Sequence, residues 1–212
     1  LLLAAFQTLL MRHTGRTDIA VGTPVAGRSR GEFDAVVGYF VNMVVIRTDL
    51  SGEPGFRELV RRVRAGSIDA IRHQAVPFSR VVAALSPGRV AGMNPLFQAS
   101  FTLENAPPSA PALTGAACRP VRTGPADTPF DLSLTMTEDD DGLDIGFAFA
   151  AELFDRDRIE RMSTHLQRLL CAIIADPDAP IGDLDLLGAE EYRKVVVDWN
   201  ATFRPYDLDT TL

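Results

Sequence analysis

Few residues in this chain have the types and spacing that could do chemistry. Its histidines, His13, His73 and His165, stand far apart and lack HxxxH or HExxH spacing, so no metal centre is expected from them. No G-x-S-x-G elbow offers a nucleophilic serine, and neither Cys118 nor Cys171 carries a cue for thiol activation. No glycine-rich phosphate loop follows a strand, which removes support for nucleotide chemistry. What remains is a set of polar side chains in apolar or loop settings: Arg28, Asn42, His73, Gln74 and Asn94.

Asn42 is the most pointed of these. It interrupts the apolar run VGYFVNMVVIR, residues 37–47, in which Val37, Tyr39, Phe40, Val41, Met43, Val44, Val45 and Ile46 are all suited to burial. A buried amide without partners costs roughly 1–3 kcal/mol. His73 ends a basic helix directly before QAVPF, as a helix cap in the first reading and at a ligand in the second. His13, beside Arg12 at a helix end, is expected to meet last-turn carbonyls, and His165 to be hydrogen-bonded and half-buried on its helix.

The elements that position these residues follow from periodicity. Leu2, Leu3, Phe6, Leu9 and Leu10 have helical spacing, and the helix should stop at Thr14-Gly15. This opening run lacks the basic start and cleavage site of a signal peptide and is too short to span a bilayer. It begins without a cap, so the N-terminus is expected to be a cut. DIAVGTPVAGR, 18–28, reads as a strand entering a loop, and residues 39–48 as a second strand. Residues 51–74 read as a helix with Phe56, Leu59, Val60, Val63 and Ile71 on one stripe, arginines largely off it, and Pro54 in its first turn. A short helix over 77–85 and a strand over 97–105 follow.

ENAPPSAPALTGAA, 104–117, is proline-rich and reads as an extended arm. DLSLTMT and LDIGFAF alternate strictly and form a hairpin, whose acidic turn, Glu138 to Asp141, lacks the calcium-loop spacing of an EF-hand. A long helix capped by Asp155 buries Ile159, Met162, Leu166, Leu169, Leu170 and Ile173, and ends at Asp176-Pro177. A strand over 183–187, a helix over 189–199 and a polar, extended tail complete the chain. Strands and helices interleave over one domain length, giving an α/β fold with a mixed sheet of five or more strands flanked by helices.

The composition fits that plan. Of 212 residues 46% are hydrophobic and 23% charged, enough for a sizeable core. The net charge of −7 argues against a nucleic-acid backbone as partner. The two cysteines sit among apolar residues and are expected to be reduced.

Several short motifs stand in a telling order. VGYFVNMVVIR resembles the fifth core motif of nonribosomal peptide synthetase condensation domains, I/L-G-x-F-V-N-T-x-x-x-R. Val37, Gly38, Phe40, Val41, Asn42 and Arg47 fit it, and Met43 stands where Thr is usual. HQAVPFS resembles the sixth motif, H-Q-D-Y-P-F-E, through His73, Gln74, Pro77 and Phe78. RVAGMNPLF resembles the seventh, R-D-x-S-R-N-P-L, through Arg89, Asn94, Pro95 and Leu96, without its acidic and second basic positions. Residues 13–28 are similar to the stretch before the fifth motif, and VVVDWNATFRPYDLDTTL to the junction with an adenylation domain. The NPLF and HQ-x-x-PF matches favour ordinary condensation over an epimerisation or cyclisation relative.

The resemblance implies one lobe of a V-shaped fold like that of chloramphenicol acetyltransferase: a C-terminal lobe over 1–188, then a terminal helix and linker over 189–212. The parent activity joins an acyl- or peptidyl-thioester to the amine of an aminoacyl-thioester. Both are carried on phosphopantetheine arms of carrier proteins, in a cytoplasmic multidomain synthetase that makes secondary metabolites such as antibiotics. The implied partners are an N-terminal lobe, upstream and downstream carrier domains and an adenylation domain, with no membrane. The motif His-His-x-x-x-Asp-Gly, which supplies the family's catalytic histidine, is absent: no two histidines are adjacent. No catalytic residue is therefore expected in this chain, and a non-catalytic docking module is the alternative. Arg28 would meet the aspartate of that motif, and without it would simply be solvated. Residues 18–28 would form a floor loop under the tunnel, and the proline-rich arm a latch to the other lobe. Two readings of Asn42 stand: an amide at the tunnel or lobe interface, or one that satisfies a local bulge or strand end. Asn94 carries the same pair.

Overall fold

The computed structural model describes residues 1–28, 30–88, 92–104, 115, 128–139 and 142–203. Helix α1, Leu2–Thr14, buries Leu3, Phe6 and Leu9 and ends at Gly15, whose φ of 69° directs its N–H to the Met11 carbonyl at 2.8 Å. Strand β1, Asp18–Val25, pairs antiparallel with β2, Asn42–Asp49. Helices α2, Phe56–Arg72, and α3, Phe78–Leu85, lead to β3, Ala99–Glu104, which lies parallel to β1 through Val21↔Ala99 and Gly22↔Ser100. Strand β4, Leu132–Asp139, is parallel to β3 and turns back into antiparallel β5, Gly142–Phe149. Helix α4, Arg156–Ala175, follows, then α5, Ala189–Tyr192, which continues into a π turn over Arg193–Asp198. The sheet order is β2-β1-β3-β4-β5, the expected mixed five-stranded arrangement.

The strand alternation sorts the two faces. Ile19, Val21, Ile46, Phe101, Leu134 and Met136 meet α1, α2 and α4 in one core, with Phe6 stacked on Phe101 at 6.2 Å. Full burial of side chains such as Phe6, Leu59, Leu166 and Leu169 contributes about 1.5–3 kcal/mol each, the main stabilisation of this layer. The other face carries Gly22, Ser100, Thr102, Ser133 and Thr135, small or hydroxylated residues, with the Phe97 ring packed over Gly22.

Several expectations are corrected. Residues 183–187 form turns rather than a strand. Leu184 and Leu186 are buried, but Arg12 donates to the Ile181 and Leu184 carbonyls at 3.3 and 2.9 Å, so no sheet edge uses that backbone. The second strand begins at Asn42, not near 39, because its partner stops at Val25. Val37 and Tyr39 are consequently 101% and 89% exposed instead of buried. Pro54 precedes the Gly55 N-cap of α2, its carbonyl accepting from Ile181 N–H at 3.0 Å, and Ile71 lies outside the core at 48% exposure. Asp155 holds the N-cap position of α4 without a side-chain capping bond. The proline-rich arm apart from its end residue Glu104 and Gly115, together with Arg89, Cys118, Asp140, Asp141 and the tail beyond 203, lies outside the described residues.

Candidate functional site

The connection between α2 and α3 has a hydrogen-bonding deficit that Asn42 fills. The helix ends at His73, whose N–H reaches the Asp69 and Ala70 carbonyls at 3.3 and 3.2 Å and whose Nδ1 lies 2.8 Å from the Asp69 carbonyl. The chain then turns through Gln74 and Val76 into Pro77, which has no N–H to offer. Asn42 Nδ2 donates to the Gln74 carbonyl at 2.9 Å and to the Val76 carbonyl at 2.8 Å. The Phe78 N–H in the first turn of α3 donates to Asn42 Oδ1 at 3.1 Å. Both halves of the amide are therefore used, at the first residue of β2, to clamp a turn 32–36 residues away. The fifth- and sixth-motif stretches are thus joined by one side chain.

Phe78 carries that clamp onward. Its ring meets Phe97 edge-on at 5.8 Å, and Phe97 lies 5.1 Å from Phe130. Asn94 launches Phe97 from a local turn: its Oδ1 accepts from the Leu96 and Phe97 N–H groups at 3.1 and 3.3 Å, and its carbonyl accepts from Gln98 Nε2 at 3.0 Å. The Phe97 ring rests on Gly22, where a Cβ would stand 2.1 Å from it. We therefore expect Gly22→Ala to lower stability by about 1–3 kcal/mol. Thermal melts of Gly22→Ala, Phe97→Leu and the double variant check this: the losses should be less than additive, because Leu vacates the space the new methyl needs.

Beside this cluster runs a hydroxyl chain that no sequence motif announces. Ser100 Oγ donates to Ser133 Oγ at 2.7 Å, Thr128 Oγ1 lies 2.7 Å from the same oxygen, and Phe130 N–H donates to Thr128 at 3.2 Å. The alternation in DLSLTMT held the clue, since Ser133 and Thr135 had to face away from the leucines.

Arg28 sits beyond β1 in a tightly built loop. Its guanidinium stands 4.4 Å over the Phe40 ring and donates through Nη2 to the Val36 carbonyl at 2.9 Å. Phe40 in turn stacks on Phe33 at 5.6 Å. Arg28 is thus anchored, not simply solvated, and its Nη1 is buried with no hydrogen-bond partner among the described residues. Arg47 lies apart from both groups, bound bidentately to Asp18 at 2.8 and 2.6 Å. The hydrogen bond to Arg47 holds the Asp18 carboxyl below its ordinary value, although the pair is largely exposed. The structure brings Asn42, His73, Gln74 and Asn94 into one connected cluster, with Arg28 in the loop that leaves the same end of β1.

His13 departs from expectation. Instead of last-turn carbonyls, its ring meets His165, 152 residues away, with Nε2 3.2 Å from His165 Nδ1. His165 is hydrogen-bonded as expected and more deeply buried, at 5% exposure.

A mixed five-stranded sheet with one helical layer, and motif stretches joined at one end, defines the chloramphenicol acetyltransferase-like class of α/β fold. The chain belongs to the condensation-domain family of nonribosomal peptide synthetases, whose family model matches residues 1–196. It is 45% identical over 210 residues to one of the linear gramicidin synthases of Brevibacillus parabrevis, covering 98% of this chain and 4% of that protein. Among solved structures it is similar to the X-domain from teicoplanin biosynthesis, with 29% identity and a TM-score of 0.76 over 88% of this chain and 43% of that one. It also resembles the four-domain nonribosomal peptide synthetase AB3403, with 28% identity and a TM-score of 0.79 over 89% of this chain and 15% of that one. The chain spans only 3% to 4% of the length of the linear gramicidin synthases it matches. No helix among the described residues is long and apolar enough to cross a membrane.

Proposed function

We propose that this chain is the C-terminal lobe of a condensation domain that forms an amide between two carrier-bound thioesters. In that reaction the acceptor amine nitrogen bonds to the donor carbonyl carbon. The carbon–sulfur bond breaks, and the donor's phosphopantetheine thiol leaves with the proton the amine loses. Both substrates arrive on carrier domains, so much of the acceleration comes from holding amine and thioester together. This lobe supplies a wall of the tunnel in which they meet, and the base or orienting histidine comes from an N-terminal lobe bearing His-His-x-x-x-Asp-Gly. The observation that carries the reading is the Asn42 clamp, which joins the fifth- and sixth-motif stretches through backbone partners on both sides. The buried Nη1 of Arg28, which has no partner among the described residues, supports it, since a carboxylate from the other lobe would satisfy that group. Residues 189–212 begin the linker towards an adenylation domain, and the parent synthetase works in the cytoplasm.

The test is amide formation with two loaded carrier domains. We expect no product from this chain alone, and product when a separately expressed N-terminal lobe with the paired histidines is added. Turnover by this chain alone would place the chemistry elsewhere and overturn the proposal. A second reading, a non-catalytic docking module, has support from the exposed apolar pair Val37 and Tyr39 and from a similar X-domain whose solved structure is a complex with OxyB. Carrier binding without product in the mixed assay would favour it.

A further inference from the structure

The sheet ends on β5, whose outer edge no other strand covers among the described residues. Which of its backbone groups are spare follows from the hairpin. Ala150 N–H donates at 3.0 Å to the carbonyl of Asp131, directly opposite it. The register carries that bonding phase along the strand through Ala148↔Ser133, Gly146↔Thr135, Asp144↔Thr137 and Gly142↔Asp139. The even-numbered residues therefore turn their N–H and C=O groups towards β4. Leu143, Ile145, Phe147 and Phe149 turn theirs outward, and no hydrogen bond among the described residues takes up those eight groups.

The usual protections of a free edge are missing. Residues 142–149 contain no proline and no lysine, carry one charge, at Asp144, and pair with β4 without a bulge. Leu143 is exposed and Ile145, Phe147 and Phe149 are only half-buried, so the apolar layer of the core runs out to this border. Gly146, in the middle of the strand, is not demanded by its own lobe. Its φ lies outside the left-handed region, and a Cβ would meet nothing nearer than the Thr135 carbonyl oxygen at 3.8 Å, an ordinary contact. A glycine inside a strand weakens it, and often marks a place where another backbone comes close.

We propose that β5 pairs with β5 of a second copy of this chain, antiparallel about a two-fold axis through Gly146, so that two five-stranded sheets become one. The register argues for this occupant. Outward groups meet outward groups only when odd-numbered residues oppose odd-numbered ones. Centring on Gly146 sets Leu143 against Phe149 and Ile145 against Phe147, and uses all eight groups of each edge. Centring on Ile145 leaves Phe149 unpaired, and centring on Phe147 leaves Leu143 unpaired. The Gly146 register also opposes Asp144 to Ala148, so no like charges meet, and it keeps Ile145, Phe147 and Phe149 of both copies on the helical face. Gly146 then faces its own copy in a non-hydrogen-bonded pair, where the two Cα atoms stand about 4.5 Å apart. The pairing does not depend on the lobe's part in condensation.

The test uses the full chain with Cys118 and Cys171 replaced by serine. Sedimentation equilibrium should show monomer and dimer exchanging with concentration and nothing larger, because two-fold pairing uses up the edge. Gly146→Glu sets two carboxylates directly opposite each other and should raise the dimer dissociation constant about fivefold or more, with partial recovery in high salt. Its exposed position on the open face should leave the melting temperature in dilute solution unchanged. Gly146→Cys should form an intersubunit disulfide under mild oxidation. Ala148→Cys should not, since in this register each such cysteine lies about 14 Å from its own copy. A single species of monomer mass at every concentration, an unshifted constant in Gly146→Glu, or equal cross-linking of the two cysteine variants would overturn the pairing.

Discussion

Gly27→Ala is expected to destabilise the protein by about 2–5 kcal/mol, a large effect for a single methyl group in a loop. Two costs coincide at this position. Its φ of +67° is a conformation that side chains other than glycine rarely adopt, and a Cβ there would stand 1.9 Å from the Phe40 carbonyl oxygen. That obstacle is backbone, so no rotamer change relieves it. Residues 37–41 would have to move, taking Phe40 from beneath the Arg28 guanidinium. Gly15 provides the control. Its φ of +69° is similar, but nothing lies within 4 Å of its Cβ position. Gly15→Ala should therefore cost only about 1–2 kcal/mol, the left-handed backbone contribution alone. Urea unfolding of the two variants measures the difference; equal losses would mean that the Phe40 contact contributes nothing.

Asn42→Ala is expected to cost about 2–3 kcal/mol, the sum of its three hydrogen bonds at roughly 1 kcal/mol each. The more discriminating variant is Asn42→Asp. It keeps the acceptor for Phe78 N–H but sets a carboxylate oxygen against the Gln74 and Val76 carbonyls, which need a donor. Asp should therefore be at least as damaging as Ala, the reverse of what shape alone would give. The damage should also be local, with exchange rising first across residues 73–78. In the reconstituted domain we expect amide formation to fall in the same order, because that turn leads through Phe78 to Phe97 and the open face of the sheet. Activity that survives while the turn loosens would separate the clamp from the chemistry.

Much of this architecture was legible in advance. The spacing of Phe56, Leu59 and Val63, and of Ile159, Met162, Leu166 and Leu169, placed two helices because a 3.6-residue period is a property of the local chain. The strict alternation in 132–149 placed the hairpin for the same reason, with a period of two. The strand expected over 183–187 failed because its alternating leucines do report burial, but burial alone does not supply a neighbouring strand. The apolar run 37–41 failed in the opposite way: its composition suits a strand, and its partner ends at Val25. Ser100, Ser133 and Thr128 went unnoticed because a hydroxyl chain has no spacing rule.

By itself, then, the sequence determined the helices, the hairpin, the mixed sheet and, through ordered motifs, the family. Each is written either in a short-range period or in a contiguous run of residues. Only the tertiary structure decided what the polar residues do. Asn42 finds its partners 32–36 residues away, and His13 meets His165 across 152 residues. Such partners are fixed by strand order, register and helix packing. A hydrogen bond acts over about 3 Å and carries no imprint in the sequence around either of its ends.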